Sequence, residues 1–218
     1  MKVKFNYVPL RSLILLLVIG LTGCDTLYFS ALEQVGIHKR DVLKDRIEDA
    51  QEAQQEGKEQ FVSALDEFKQ VLSLEETSLE KRYKSLQAEY DASEDAAEEV
   101  RERIAAVESV SDALFDEWEK ELELYTSAAL RRASKKKLLH TRRQYRNLIV
   151  VMKKAEAKMT PVLNTLRDQT LFLKHNLNAQ AISAVRSELG RIERDVDKLV
   201  VAMEVSIDEA ESFIQGLK

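Results

Sequence analysis

Few side chains in this sequence could carry chemistry, and their spacing limits what that chemistry would be. The one thiol is Cys24, placed directly after Leu21-Thr22-Gly23. A lone thiol cannot close an internal disulfide, whatever the compartment. The histidines are His38, His140 and His175, and none has a Glu three residues before it. The Glu-x-x-His pattern of carboxylate-bridged metal bundles is therefore missing. His175, in Leu173-Lys174-His175-Asn176-Leu177-Asn178, sits near a turn and reads as a cap or a satisfied buried imidazole before a ligand. Gly-rich phosphate loops, G-x-S-x-G elbows, H-E-x-x-H and C-x-x-C pairs do not occur. Trp118, within Asp116-Glu117-Trp118-Glu119, could stack on a sugar, but its spacing argues for core packing. The acids around it could bind a cation, although acids on a helix are usually a solvated face. The expectation is a protein that is not an enzyme, with no catalytic residue, no metal ligand and no cofactor.

The thiol has a specific setting. Lys2, Lys4 and Arg11 make a basic start, and residues 13–21 (LILLLVIGL) make an apolar stretch too short for an ordinary transmembrane span. Leu21-Thr22-Gly23-Cys24 resembles the lipobox of bacterial lipoproteins. That resemblance implies a diacylglyceryl group on the Cys24 sulfur, cleavage before Cys24 and acylation of the freed amine. Two or three acyl chains anchor durably where one would be marginal. Asp25 resembles the sorting residue of lipoproteins kept at the inner membrane, which favours the periplasmic face of that membrane. Tyr28, Phe29 and Leu32 follow closely, and either rest in the bilayer interface or pack onto the fold. The expected organisation is a signal peptide over 1–23, a lipidated membrane-proximal segment over 24–38 and a helical bundle over 39–218.

An all-α fold follows from composition and period. Of 218 residues, 44% are hydrophobic and 33% charged, with only six glycines and two prolines. Sandwiches, barrels and doubly wound sheets need more turns than that. Without the basic leader the chain carries 30 bases against 38 acids, near −8, which does not suit a general nucleic-acid binder. Four segments then show apolar positions alternating at four and three residues.

The spacing predicts helices over about 39–72, 78–126, 130–175 and 179–214. The first seam runs Leu43, Ile47, Ala50, Gln54, Gly57, Phe61, Ala64, Phe68, Val71. The second runs from Leu79 through Leu86, Val100, Ile104 and Leu114 to Trp118, Glu121 and Tyr125. The third runs from Leu138 to Leu166, and Pro161 near its end should kink the helix or restart it after Thr160. The fourth runs from Ile182 to Phe213.

The short breaks at 73–77, 127–129 and 176–178 force antiparallel neighbours. Folding back at those turns places Lys39 beside about Ser111, Asp116 near His140 and Glu121 near Lys135. The central hairpin should then extend past the body as an arm that only residues before Lys39 can cover. Its tip, near Ser127, lies at the same end as Cys24.

Charge is segregated along that hairpin. From 91 to 123 there are thirteen acids and three bases, and from 131 to 146 there are eight Lys or Arg and no acid. In one reading the blocks pair across the hairpin, setting register more than stability at roughly 0.3 kcal/mol a pair. In the other, Arg131, Arg132, Lys135, Lys136 and Lys137 at the tip touch anionic headgroups, each contributing about 1 kcal/mol. Nucleic acid is a weak third partner, because no aromatic residues are interleaved for base stacking.

Several stretches resemble a bacterial family designated domain of unknown function twenty-nine fifty-nine. They are Gly36-Ile37-His38-Lys39-Arg40-Asp41, Leu114-Phe115-Asp116-Glu117-Trp118, Leu130-Arg131-Arg132-Ala133-Ser134 and Ala157-Lys158-Met159-Thr160-Pro161-Val162-Leu163, continued by Asp168-Gln169 and residues 171–178. The resemblance covers nearly the whole mature chain. It implies a lipoprotein of coiled-coil character and supplies no activity and no catalytic residue. The family usually carries an acid before the proline, where this chain has Thr160.

Taken together, the residues point to an elongated antiparallel bundle held on a membrane through Cys24. It would act as a structural or scaffolding binding module of the cell envelope, with a protein partner or a second copy of itself. The alternative is an accessory regulator of a membrane enzyme or assembly complex. Convergent polar residues inside the bundle would instead mark a binding site, and a buried Glu121 would be its clearest sign.

Overall fold

The computed structural model describes residues 38–73, 78–176 and 179–217, with side chains of the last segment described from Ile182. Cys24, Asp25, Tyr28, Phe29 and Leu32 lie outside the described residues. Four helices make up the fold: α1 Lys39–Ser73, α2 Leu79–Leu122, α3 Ala128–His175 and α4 Ala179–Leu217. No strand occurs among the described residues. Each helix packs on its chain neighbours, and α1 also packs on α4, which closes the four into an antiparallel bundle. None of these helices is long and apolar enough to cross a membrane.

The apolar period explains the core. All nine seam positions of α1 are buried, and Leu43, Ile47, Ala50, Phe61 and Ala64 lose all solvent exposure. They meet Val100, Ile104 and Val107 of α2, Leu148, Met152 and Met159 of α3, and Val185, Leu199 and Met203 of α4 in one continuous cluster. Ser93 and Ser111 can sit on the α2 seam because each hydroxyl donates to a carbonyl of its own helix, Glu89 O at 2.7 Å and Glu108 O at 2.9 Å.

Gly57 is the close-approach point of α1. A Cβ there would lie 3.4 Å from both Met203 Cε and Val100 Cγ2, which is ordinary contact. Gly57→Ala is therefore expected to stabilise the bundle by about 0.5–1 kcal/mol, because alanine restricts the unfolded chain without overpacking. A urea midpoint that rises for Gly57→Ala and falls for Gly57→Leu checks this.

Three expectations need correction. First, α3 does not restart at Pro161; it runs unbroken from Ala128 to His175. Pro161 faces solvent, while Met159 and Val162 on either side are buried, so packing offsets a proline cost of about 3 kcal/mol. Second, the α2–α3 turn occupies 123–127 rather than 127–129. Ser127 caps α3, accepting from Leu130 N, and Arg131 Nη2 donates to Tyr125 O at 3.0 Å, so local hydrogen bonds fix the turn. Third, Lys39 reaches Glu117 rather than Ser111, with Nζ–Oε1 3.1 Å. Side chains settling into the holes of the facing helix set register within about a turn, which turn arithmetic alone cannot fix.

The central hairpin remains the longest part. α2 and α3 have 44 and 48 residues, against 35 and 39 for α1 and α4. Beyond Glu117 on α2 and Lys137 on α3 it projects as an arm. From Ala128 to Lys137, α3 rises about 13 Å.

Candidate functional site: the arm and its root

The root of the arm is clamped by aromatic and charged contacts. Phe115 of α2 and Tyr145 of α3 pack edge to face, with ring centroids 5.5 Å apart. The Arg142 guanidinium lies 5.0 Å over the Phe115 ring and also donates to Glu119 across the hairpin. Arg142, by hydrogen bond and then by charge, holds the Glu119 carboxyl below its ordinary value. This contribution is present above the ordinary carboxylate range and is lost as pH falls through the lowered value; half-exposure of Glu119 keeps it small. Burial pushes the Tyr145 phenol up, opposed by a hydrogen bond with Ser111.

One step toward the tip, Trp118 Nε1 donates to Ser134 Oγ at 2.8 Å. Trp118 is half-buried against the core, so it is a packing residue with a satisfied polar edge. Ser134→Ala leaves that donor without its partner and is expected to cost about 1 kcal/mol. A lowered urea midpoint, with the Trp118 emission shifting in the folded protein, checks it.

Where α1 and α4 end, the core opens into a cavity of about 200 Å³ lined by Leu114, Trp118, Glu121, Lys137, Thr141 and Leu217, among others. Glu121 is exposed there, although its neighbour Leu122 is buried. By the test set above, that favours a plain rod over an internal binding site. Among the described residues, no three His, Cys, Asp or Glu side chains gather as a metal site. His38, His140 and His175 are all exposed. His175 is neither buried nor the cap; Asn176 caps α3, its N–H reaching Leu173 O and its Nδ2 donating to Phe172 O at 2.9 Å.

The charge blocks divide between the two readings. Cross-hairpin pairs form at Glu119–Arg142, at Glu108–Lys153 (2.5 Å) and at Glu123–Arg131 (3.9 Å). The Asp116–His140 and Glu121–Lys135 juxtapositions do not become ion pairs, because the register differs. Arg131, Arg132, Lys135, Lys136 and Lys137 are all exposed, and all but Arg131 have no described acid within ion-pair distance. The structure thus gathers all five on one end of the bundle and leaves four without an ion-pair partner among the described residues.

Two surfaces escaped the sequence reading. Leu124 and Leu130 stand on the arm's tip, 80% and 59% exposed. On the body, a groove of about 440 Å³ between α3 and α4 is lined by Val151, Lys154, Lys158, Val201 and Val205, among others. The available signal was an apolar run wider than one seam, Ile149-Val150-Val151 and Val200-Val201.

A family model described as a protein of unknown function (DUF2959) matches residues 28–217. No curated protein matches the chain.

Proposed function

Since this chain belongs to the DUF2959 family of proteins of unknown function, we propose its role from its own geometry: it is a lipid-anchored rod of the bacterial cell envelope that works by binding. The anchor is Cys24, at the periplasmic face of a membrane, the inner one being favoured by Asp25. The bundle is a scaffold held upright on the surface, and the five tip bases meet anionic headgroups.

One observation carries this reading. α1 begins at the arm end of the bundle, where Lys39 pairs with Glu117. Fourteen residues separate Cys24 from Lys39 and reach at most about 50 Å. The arm projects only about 13 Å beyond Lys137 of α3. A bilayer holding Cys24 is therefore well within reach of the arm tip, while the other end of the bundle, about 50 Å away along α1, lies at the limit of a fully extended tether. Four uncompensated bases at the near end suit an anionic surface.

The test is the chemical state of the mature N-terminus. Mass spectrometry of protein extracted from membranes should find a chain that begins at Cys24, with diacylglycerol in thioether linkage to its sulfur. A mature chain that keeps residues 1–23, or whose Cys24 thiol reacts freely with maleimide, contradicts the proposal. The alternative role, an accessory regulator of a membrane enzyme or assembly complex, shares the anchor and differs in the partner. Cross-linking in the native membrane separates the two. A dominant enzyme or assembly component supports the regulator, and self-cross-links with lipid support a self-assembling surface rod.

A further inference from the structure

We propose that Leu124 and Leu130 insert into the interfacial layer of an anionic bilayer, with the bases behind them gripping the headgroups. The proposal rests on the membrane-facing orientation above and adds a mode of contact to it. Leu124 is the most exposed large apolar side chain among the described residues, at 80%, and Leu130 follows it across the same turn at 59%. Single exposed leucines are common on surfaces, but two on one projecting tip form a small apolar wedge.

The charge around the wedge selects its partner. From 120 to 137 there are six bases, Lys120 among them, and two acids, Glu121 and Glu123, in a chain of net charge −5. Glu123 is itself engaged by Arg131. Side chains on a helix lean toward its N-terminus, and the N-terminus of α3 is the tip. The stems of Lys135, Lys136 and Lys137 therefore lean toward the level of Leu130, where their ammonium groups can stay wet while the leucines do not. Apolar points ringed by cations fit a surface that is anionic outside and hydrocarbon beneath, which describes an anionic bilayer. A purely polyanionic partner would leave the two leucines in water.

The test uses the full mature chain with Cys24→Ser, which removes lipid and leaves no other thiol. Binding is measured to vesicles of phosphatidylglycerol with phosphatidylcholine, and to phosphatidylcholine alone. Circular dichroism confirms that each variant is folded. The expected result is that Leu124→Ser with Leu130→Ser weakens binding to the anionic vesicles at least about tenfold with all bases intact. A nitrobenzoxadiazole label on Leu124→Cys should also shift to the blue on those vesicles and be quenched by brominated lipid. If glutamate at the five basic positions abolishes binding while the leucine pair changes nothing, headgroup contact stands and insertion is overturned. If the parent chain binds neither vesicle, both fall. If the leucine pair alters only self-association in sedimentation, the wedge belongs to a second copy and insertion is likewise overturned.

Discussion

Cys24→Ser is expected to move the protein from a membrane pellet that resists washing into the soluble fraction. Each buried methylene of an acyl chain contributes about 0.8 kcal/mol, so two or three chains hold the protein against any wash that leaves the bilayer intact. Five tip bases at about 1 kcal/mol each give a far weaker hold. That hold also fades within a Debye length of about 8 Å at physiological ionic strength. The parent should therefore remain in the pellet through high salt and alkaline carbonate. The serine variant should be soluble, or be released by salt alone. A serine variant that survives the carbonate wash would mean that something other than lipid on Cys24 holds the protein.

The largest expected effect on folding comes from Phe61→Ala. Phe61 has no solvent exposure and lies on the α1 seam among residues of the other three helices. Truncating it removes a ring and leaves a cavity that helix packing cannot fully close, a cost of about 3–5 kcal/mol. Val62, its neighbour in sequence, is 39% exposed, so Val62→Ala should cost under about 1 kcal/mol. Urea unfolding followed at 222 nm checks the pair. Equal midpoint shifts for the two variants would mean that the seam is not the core.

That contrast shows why much of the fold was legible in the sequence. A long helix in a bundle announces its buried face by period, so the α1 seam was readable residue by residue. The α3 seam from Leu138 to Leu166 is likewise buried throughout. The period reports which face is inward but not how wide the face is. Phe115, Leu122, Leu163 and Leu217 flank the seams and are also buried, because a helix in a four-membered core touches two neighbours.

Register and ends were less legible, for a related reason. The pattern of α2 continues through Glu121 and Tyr125, yet Glu121 is exposed while its neighbour Leu122 is buried. Pro161 was expected to kink or restart α3, and the helix does not restart there, with Met159 and Val162 buried on either side. The tip shows the same limit. Its five bases were visible as a run, but Leu124 and Leu130 gained meaning only once the turn at 123–127 left them bare. Cys24 presents the opposite case, since its setting is written in sequence and it lies outside the described residues.

In the proposed arrangement lipid anchor and arm tip share one end of the rod, and depth labelling of protein prepared with its native membrane tests this most directly. If Cys24 carries the proposed thioether, a single introduced cysteine is the only free thiol, because the sequence has no other cysteine. Ser127→Cys reports the arm tip, and Ser73→Cys reports the other end of α1, about 50 Å away. Each is labelled with a fluorophore in native-lipid vesicles that contain a headgroup acceptor. Strong energy transfer is expected from the label at position 127 and little from that at 73. Equal transfer, or the reverse order, would contradict the arrangement.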